Sequence, residues 1–148
     1  MAIWQFSFYI IPRFRRLENN NKDYIFSWLG EQIKVDPNLF FRGTLNRKDS
    51  WCNDIKLFGD NEGTCIKFFV EHENIEEISC RLDLRTLCKY ELDKILEYIK
   101  LIDGKIFYEN KIYEADIFEV TRLIKSSVAY KFCKDPRGFF EELSSSNI

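Results

Sequence analysis

The sequence predicts a single α+β domain in which an antiparallel sheet meander carries about three helices, packed mainly on one face. Short alternating segments follow one another between residues 55 and 85 and predict neighbouring antiparallel strands. Amphipathic helical segments come later, so strands and helices are partly segregated along the chain. Aromatic residues make up 16% of the 148 residues, enough to fill one core of this size. We expect one domain over residues 1–148, with 144–148 as a frayed tail.

The first strand is predicted over Ala2–Ile11, where Trp4, Phe6, Phe8 and Ile10 would share one face. Pro12 follows this segment and is expected to end the strand, because proline cannot donate a hydrogen bond to a neighbouring strand. A short helix is then predicted over 24–33, because its apolar residues recur at helical spacing even though a glycine interrupts them.

Residues 35–54 are predicted to form a long irregular loop with a helical turn near Asn38–Phe41. Turns are expected at Gly59–Gly63 and at Glu73–Asn74. The strands around these turns are predicted over Ile55–Phe58, Thr64–Glu71 and Glu77–Arg85. The last strand is the clearest, since apolar side chains at every second position leave the intervening ones wet.

The remainder of the chain predicts three helices and one hairpin. A helix over Lys89–Ile102 has its apolar residues on one face, and Gly104 follows where a helix cap is expected. The other predicted elements are strands Lys105–Tyr108 and Lys111–Tyr113 and helices Ile117–Phe132 and Arg137–Leu143.

Charge and cysteine usage exclude several classes of protein. The net charge is −2, with +3 over residues 1–50 and −5 over the remainder, so the chain lacks the basic balance of a nucleic-acid binder. Five cysteines, an odd number with no C-x-x-C pair, predict reduced thiols rather than a disulfide framework or a metal site. We expect no metal and no cofactor.

The beginning of the sequence argues against a secretory signal. Its apolar stretch precedes its basic residues, which is the reverse of the order in a signal peptide. No segment is long and apolar enough to span a bilayer. These observations predict a cytoplasmic protein with no membrane association.

No catalytic constellation is recognisable, and we expect no enzymatic activity. His72, the single histidine, is the first candidate for a general base. Pairing with Cys65 is excluded, because seven positions along a strand correspond to roughly 23 Å. Phosphate-binding glycine motifs and the G-x-S-x-G nucleophile motif are absent.

Acidic residues gather around the predicted turn near residue 73. They could bind a basic partner, although an ordinary solvated hairpin remains open. Trp51 lies in a polar loop and could anchor an interface or fold back onto the core. The candidate partner-binding residues are Trp51, Asp54, Glu71, Glu73, Glu76 and Glu77. For Arg81, Asp83 and Arg85, a cross-strand salt bridge is favoured over an anion site.

Four segments of the C-terminal half resemble small bacterial proteins that include immunity proteins of polymorphic-toxin systems. The segments are ISCRLDL at Ile78–Leu84, the helix Leu92–Ile102, SSVAYKF at Ser126–Phe132 and DPRGFF at Asp135–Phe140. The match spans about half of the chain, and its motifs are strand, helix and cap patterns. The resemblance implies a non-enzymatic inhibitor that binds and blocks a cognate protein toxin, and no catalytic residue is carried over.

Two other classes of function stay open. A sheet covered by helices can hold a small ligand between its layers, with Arg81, Tyr108 or His72 as convergent polar groups. An oligomeric interaction domain would instead present a self-complementary apolar surface. The sequence leaves the oligomeric state open.

Overall fold

The predicted α+β class is confirmed. A computed structural model describes residues 2–15, 22–50 and 52–134, and these residues form an antiparallel seven-stranded sheet with five helices. The strands are β1 (Gln5–Pro12), β2 (Arg47–Lys48), β3 (Ile55–Gly59), β4 (Cys65–Glu71), β5 (Asn74–Asp83), β6 (Gly104–Tyr108) and β7 (Lys111–Tyr113). The helices are α1 (Lys22–Phe26), α2 (Pro37–Phe40), α3 (Lys89–Leu101), α4 (Ile117–Lys125) and α5 (Val128–Lys134).

The strand order is β2-β3-β4-β5-β1-β6-β7. The expected meander therefore runs from β2 to β5, and the first strand of the chain is then inserted between β5 and β6. In register, Gln5 lies opposite Asp83 and Pro12 lies opposite Gly104. Pro12 ends the strand as expected, while the strand begins at Gln5 rather than at Ala2.

One face of the sheet, here called the inner face, carries the main core. Alternate residues of β1 are buried, as the aromatic alternation predicted, and α3 and α4 pack against them. Tyr98 of α3 lies within 6.1 Å, ring centroid to centroid, of Phe68 on the sheet. Its hydroxyl donates to Val35 O at 2.9 Å, which satisfies the one polar atom of a fully buried ring.

The opposite, outer face is covered in part by α1. Phe26 of this helix lies 4.5 Å from the ring centroid of Tyr9 and 5.0 Å from that of Phe107, and both rings project from the outer face. The prediction that helices pack mainly on one face is thus correct, with α1 as the exception. The helix count of about three was too low for the described residues.

The helix predicted over 24–33 is wrong in its extent, because α1 ends at Phe26. Trp28 leaves the helical path and binds two strands instead. Its backbone N–H donates to Glu76 O at 2.8 Å, and its Nε1–H donates to Ile10 O at 2.8 Å. Gly30 follows with φ of 83°, a conformation that glycine adopts without strain.

The helix predicted over 117–132 is two helices, α4 and α5, separated by Ser126 and Ser127. The Ser127 hydroxyl donates to Ile124 O at 2.6 Å and accepts from Tyr130 N at 3.1 Å. Ser127 thereby ends α4 and caps α5, because a serine hydroxyl can form hydrogen bonds with backbone groups at helix ends.

The long loop predicted over 35–54 contains two elements. Its expected helical turn is present as α2, and the short edge strand β2 was not predicted. The helix predicted over Arg137–Leu143 and the frayed tail over 144–148 lie outside the described residues.

We expect Trp28→Phe to lower the free energy of unfolding by about 1–2 kcal/mol, because a buried carbonyl loses its hydrogen-bond donor. The indole is 2% exposed and its Nε1–H is bound to Ile10 O. Urea denaturation measures the change. Leu29→Ala, at a neighbouring side chain that is 44% exposed, is the control and should stay within about 0.5 kcal/mol of wild type. Equal stability of Trp28→Phe and wild type would contradict this role.

Candidate functional site

The turn between β4 and β5 is tighter than predicted and lies one residue earlier. Glu71 pairs with Asn74, so the two central residues are His72 and Glu73 rather than Glu73 and Asn74. Both central residues have positive φ, 50° and 67°. Positive φ at both positions is the pattern of a type I′ hairpin turn, whose backbone twist matches that of the strands it joins.

A β-bulge follows the turn and sets the exposure of the acidic residues. Phe69 pairs with Glu77, and Val70 pairs with Ile75, so Glu76 is the extra residue on β5. The bulge keeps Ile75 packed against the core while Glu76 stays exposed. Glu77, opposite Phe69 on the outer face, is half-buried.

Asp54 is brought beside this hairpin by the start of β3. Its carbonyl oxygen accepts a hydrogen bond of 2.7 Å from Val70 N, next to the turn. The structure therefore brings together four exposed candidate residues, here called the acidic tip: Asp54, Glu71, Glu73 and Glu76. Glu77 lies beside them, and Trp51 lies outside the described residues.

The four carboxylates of the acidic tip form no ion pair and no side-chain hydrogen bond with another described residue. Some carboxylates elsewhere are paired, such as Glu114 with Arg13 at 3.1 Å and Asp103 with Lys34 at 2.9 Å. The acidic tip therefore presents negative charge that no described ion pair offsets.

The sequence candidates for catalysis are not brought together. His72 is an exposed residue of the hairpin turn, whereas Cys65 is buried at the opposite end of β4. Burial raises the pKa of the Cys65 thiol and, more strongly, that of Cys80, so neither is a ready nucleophile at neutral pH. All five cysteines are free thiols.

Arg81 binds the turn between β3 and β4 rather than an anion. Its Nε donates to Gly63 O at 3.0 Å, and its Nη2 donates to Asp60 O at 3.4 Å and to Asn61 O. The guanidinium therefore ties this turn to β5, and the salt bridge predicted for this group of residues forms between Asp83 and Arg85.

Asp83 and Arg85 form that ion pair at the end of β5, within one segment rather than across strands. The Arg85 Nη2 and Nε donate to Asp83 at 2.8 and 3.0 Å, and the guanidinium stacks on the Trp4 ring at 4.0 Å. Asp83 is 2% exposed, and its N–H donates to Thr64 Oγ1 at 3.0 Å. Hydrogen bonding from Arg85 lowers the pKa of the Asp83 carboxyl.

The structure also has a concave region that the sequence did not predict, although one of its residues, Tyr108, was a candidate for ligand contact. This region, here called the β1 cleft, has a volume of about 540 Å³ and lies between β1, the β6–β7 turn and the start of α5. The β1 cleft and the acidic tip lie at opposite ends of β1. Ile10 pairs beside the bulged end of β5, next to the acidic tip, whereas Gln5 pairs with the other end of β5 and lines the cleft.

The described residues hold neither a metal-binding cluster nor a membrane-spanning helix. In the described part of the chain, no group of three or more His, Cys, Asp or Glu side chains is placed to hold a metal ion. Within those same ranges, no helix combines the length and the apolar character needed to cross a bilayer.

Comparison with known proteins assigns no family: no family model, no curated protein and no solved structure matches this chain.

We expect Asp83→Asn to lower the free energy of unfolding by about 1–3 kcal/mol near neutral pH, because charge-assisted hydrogen bonds to a buried carboxylate are lost. The folded-state pKa of Asp83 is lowered. Its contribution is therefore present above the unfolded pKa of about 4 and disappears as the pH falls through the folded value.

Urea denaturation of both proteins over a range of pH measures this effect. The gap between wild type and Asp83→Asn should be constant near neutral pH and should shrink on acidification. A gap that stays the same at every pH would show that the ionised carboxyl contributes nothing.

Proposed function

We propose that this protein is a non-enzymatic immunity protein that binds and blocks a cognate protein toxin, and that the acidic tip is its docking surface. The observation that carries the proposal is the set of four exposed, unpaired carboxylates at one end of the sheet. The resemblance of the C-terminal segments to immunity proteins supplies the class of partner.

The charge of the acidic tip favours a basic partner surface. Exposed carboxylates without ion-pair partners maintain a negative potential that steers a positively charged protein and opposes an acidic one. A toxin that acts on nucleic acid needs a basic cleft for its phosphates. Carboxylates that enter such a cleft would occupy the place of the substrate, so a nuclease-type toxin is the partner that this surface fits best.

The rigidity of the hairpin also supports a docking role. Trp28 N–H holds the bulge through Glu76 O, and Val70 N–H holds Asp54 O, so backbone hydrogen bonds fix the base of the acidic tip. A surface that is already ordered loses little conformational entropy when it binds, and this raises affinity without additional contacts.

The turn residues supply a third argument. Type I′ turns favour Asn, Asp and Gly, because their central residues have positive φ. This turn has His72 and Glu73 instead, which accept a left-handed conformation at a cost of about 1–2 kcal/mol for each residue. Strain of this kind is concentrated at functional sites, and a charged side chain is kept at the point of the hairpin.

The proposed setting is the cytosol. The five cysteines are free, as expected of a chain that folds in a reducing compartment.

The proposal predicts a stoichiometric complex with the product of an adjacent gene, since immunity proteins are expected beside their toxins. The tagged chain and its neighbour are co-expressed and purified together, and calorimetry then measures affinity at low and high salt. Reversal of charge in Glu71→Lys/Glu73→Lys should weaken binding at least about tenfold, equivalent to about 1.4 kcal/mol. It should also flatten the salt dependence, because fewer charges meet across the interface.

The matched control is Glu62→Lys/Glu97→Lys, which changes the net charge equally at two exposed positions outside the acidic tip. It should bind like wild type. Equal weakening in both variants would mean that overall charge, rather than this surface, governs association. Absence of any complex with neighbouring gene products would remove the inhibitor function.

A further inference from the structure

The β1 cleft arises from unequal strand lengths. β1 pairs with β5 over Gln5–Ile10 but with β6 only over Tyr9–Pro12. After Tyr108 the chain reverses through Glu109 and Asn110, both with positive φ, and returns as β7. β6 therefore stops short, and the first turn of α5 bounds the remaining space beside the first half of β1.

Aromatic side chains dominate the wall of the β1 cleft. Phe6 and Tyr108 stack with ring centroids 4.6 Å apart on the inner face, whereas Tyr9 and Phe107 line the β1 cleft from the outer face, where their rings pack against Phe26. A volume of about 540 Å³ falls within the range of about 300–1,000 Å³ that small-molecule sites occupy. Tyr108 is the more exposed ring of the stacked pair, and its flat surface favours a planar ligand that can lie against it or meet it edge-on.

The charge on the lining of the β1 cleft is negative. Glu109 is the one charged residue among the described residues that line the β1 cleft, and it is exposed at the rim. Burial, reinforced by the negative charge of Glu109, raises the pKa of Tyr108 to about 12. An aromatic wall beside a carboxylate is suited to a cation, because ring faces and a carboxylate both attract positive charge.

We propose that the β1 cleft binds a small planar aromatic amine, with its ring against the aromatic wall and its ammonium group at Glu109. The site is separate from the acidic tip and does not depend on the inhibitor function. The ligand of the β1 cleft also differs in chemistry from the basic partner of the acidic tip, since the cleft combines apolar rings with one charge.

Tryptamine is the probe that tests this site. Titration into ¹⁵N-labelled protein should give saturable amide shifts at Tyr108, Asn110 and Ala129, which line the β1 cleft. Glu109→Gln should weaken tryptamine binding about tenfold, because the ammonium loses its charged partner. It should leave the affinity for the neutral analogue 3-ethylindole unchanged.

Two further variants complete the test. Val128→Trp places a large ring at a side chain that is 58% exposed and lines the β1 cleft, so it should abolish binding without loss of the fold. Glu62→Gln, outside the β1 cleft, should bind tryptamine like wild type. Shifts that do not saturate at millimolar tryptamine, or that map elsewhere, would overturn the proposal. Equal tryptamine affinity in Glu109→Gln and wild type would also overturn it.

Discussion

Trp28 fixes the relative positions of the two central strands. Its Nε1–H binds β1 at Ile10 O, and its backbone N–H binds β5 at Glu76 O, so one residue bridges the strands where their own pairing ends. Its ring belongs to the core, which makes the hydrogen bond to Ile10 O dry and costly to break. The bulge residue Glu76 is held directly by that anchor, and the tight turn lies next to it along the chain.

The fold class could be predicted because its signals are local. Alternation over Ile78–Leu84 identifies a half-buried strand, and the spacing of apolar residues from Leu92 identifies the helix that covers it. Strand order could not be predicted, since nothing local indicates that Gln5 pairs with Asp83. Tertiary hydrogen bonds also override propensity, as the early end of α1 before Trp28 shows.

The acidic residues could be named from the sequence, but their geometry could not. His72-Glu73 lacks the Asn-Gly composition that signals a type I′ turn, so the reversal was placed one residue late. The bulge at Glu76 has no local sequence signal, and the group that binds its carbonyl oxygen, the N–H of Trp28, is distant along the chain. The break at Ser127 had a signal that was missed, since serine is a preferred helix cap. The β1 cleft had none, because it depends on where β6 stops.

The insertion of β1 has a consequence for synthesis of the chain. This strand leaves the ribosome before the other described strands, yet its partners on either side, residues 78–83 and 104–107, emerge only after β2, β3 and β4. Its alternate aromatic side chains and both of its backbone edges therefore stay exposed to solvent until β1 pairs with β5 and β6, which is a late, long-range step. During that interval the strand is a target for chaperones and for pairing with other nascent chains. The interval ends when β1 pairs with β5 at the edge of the meander.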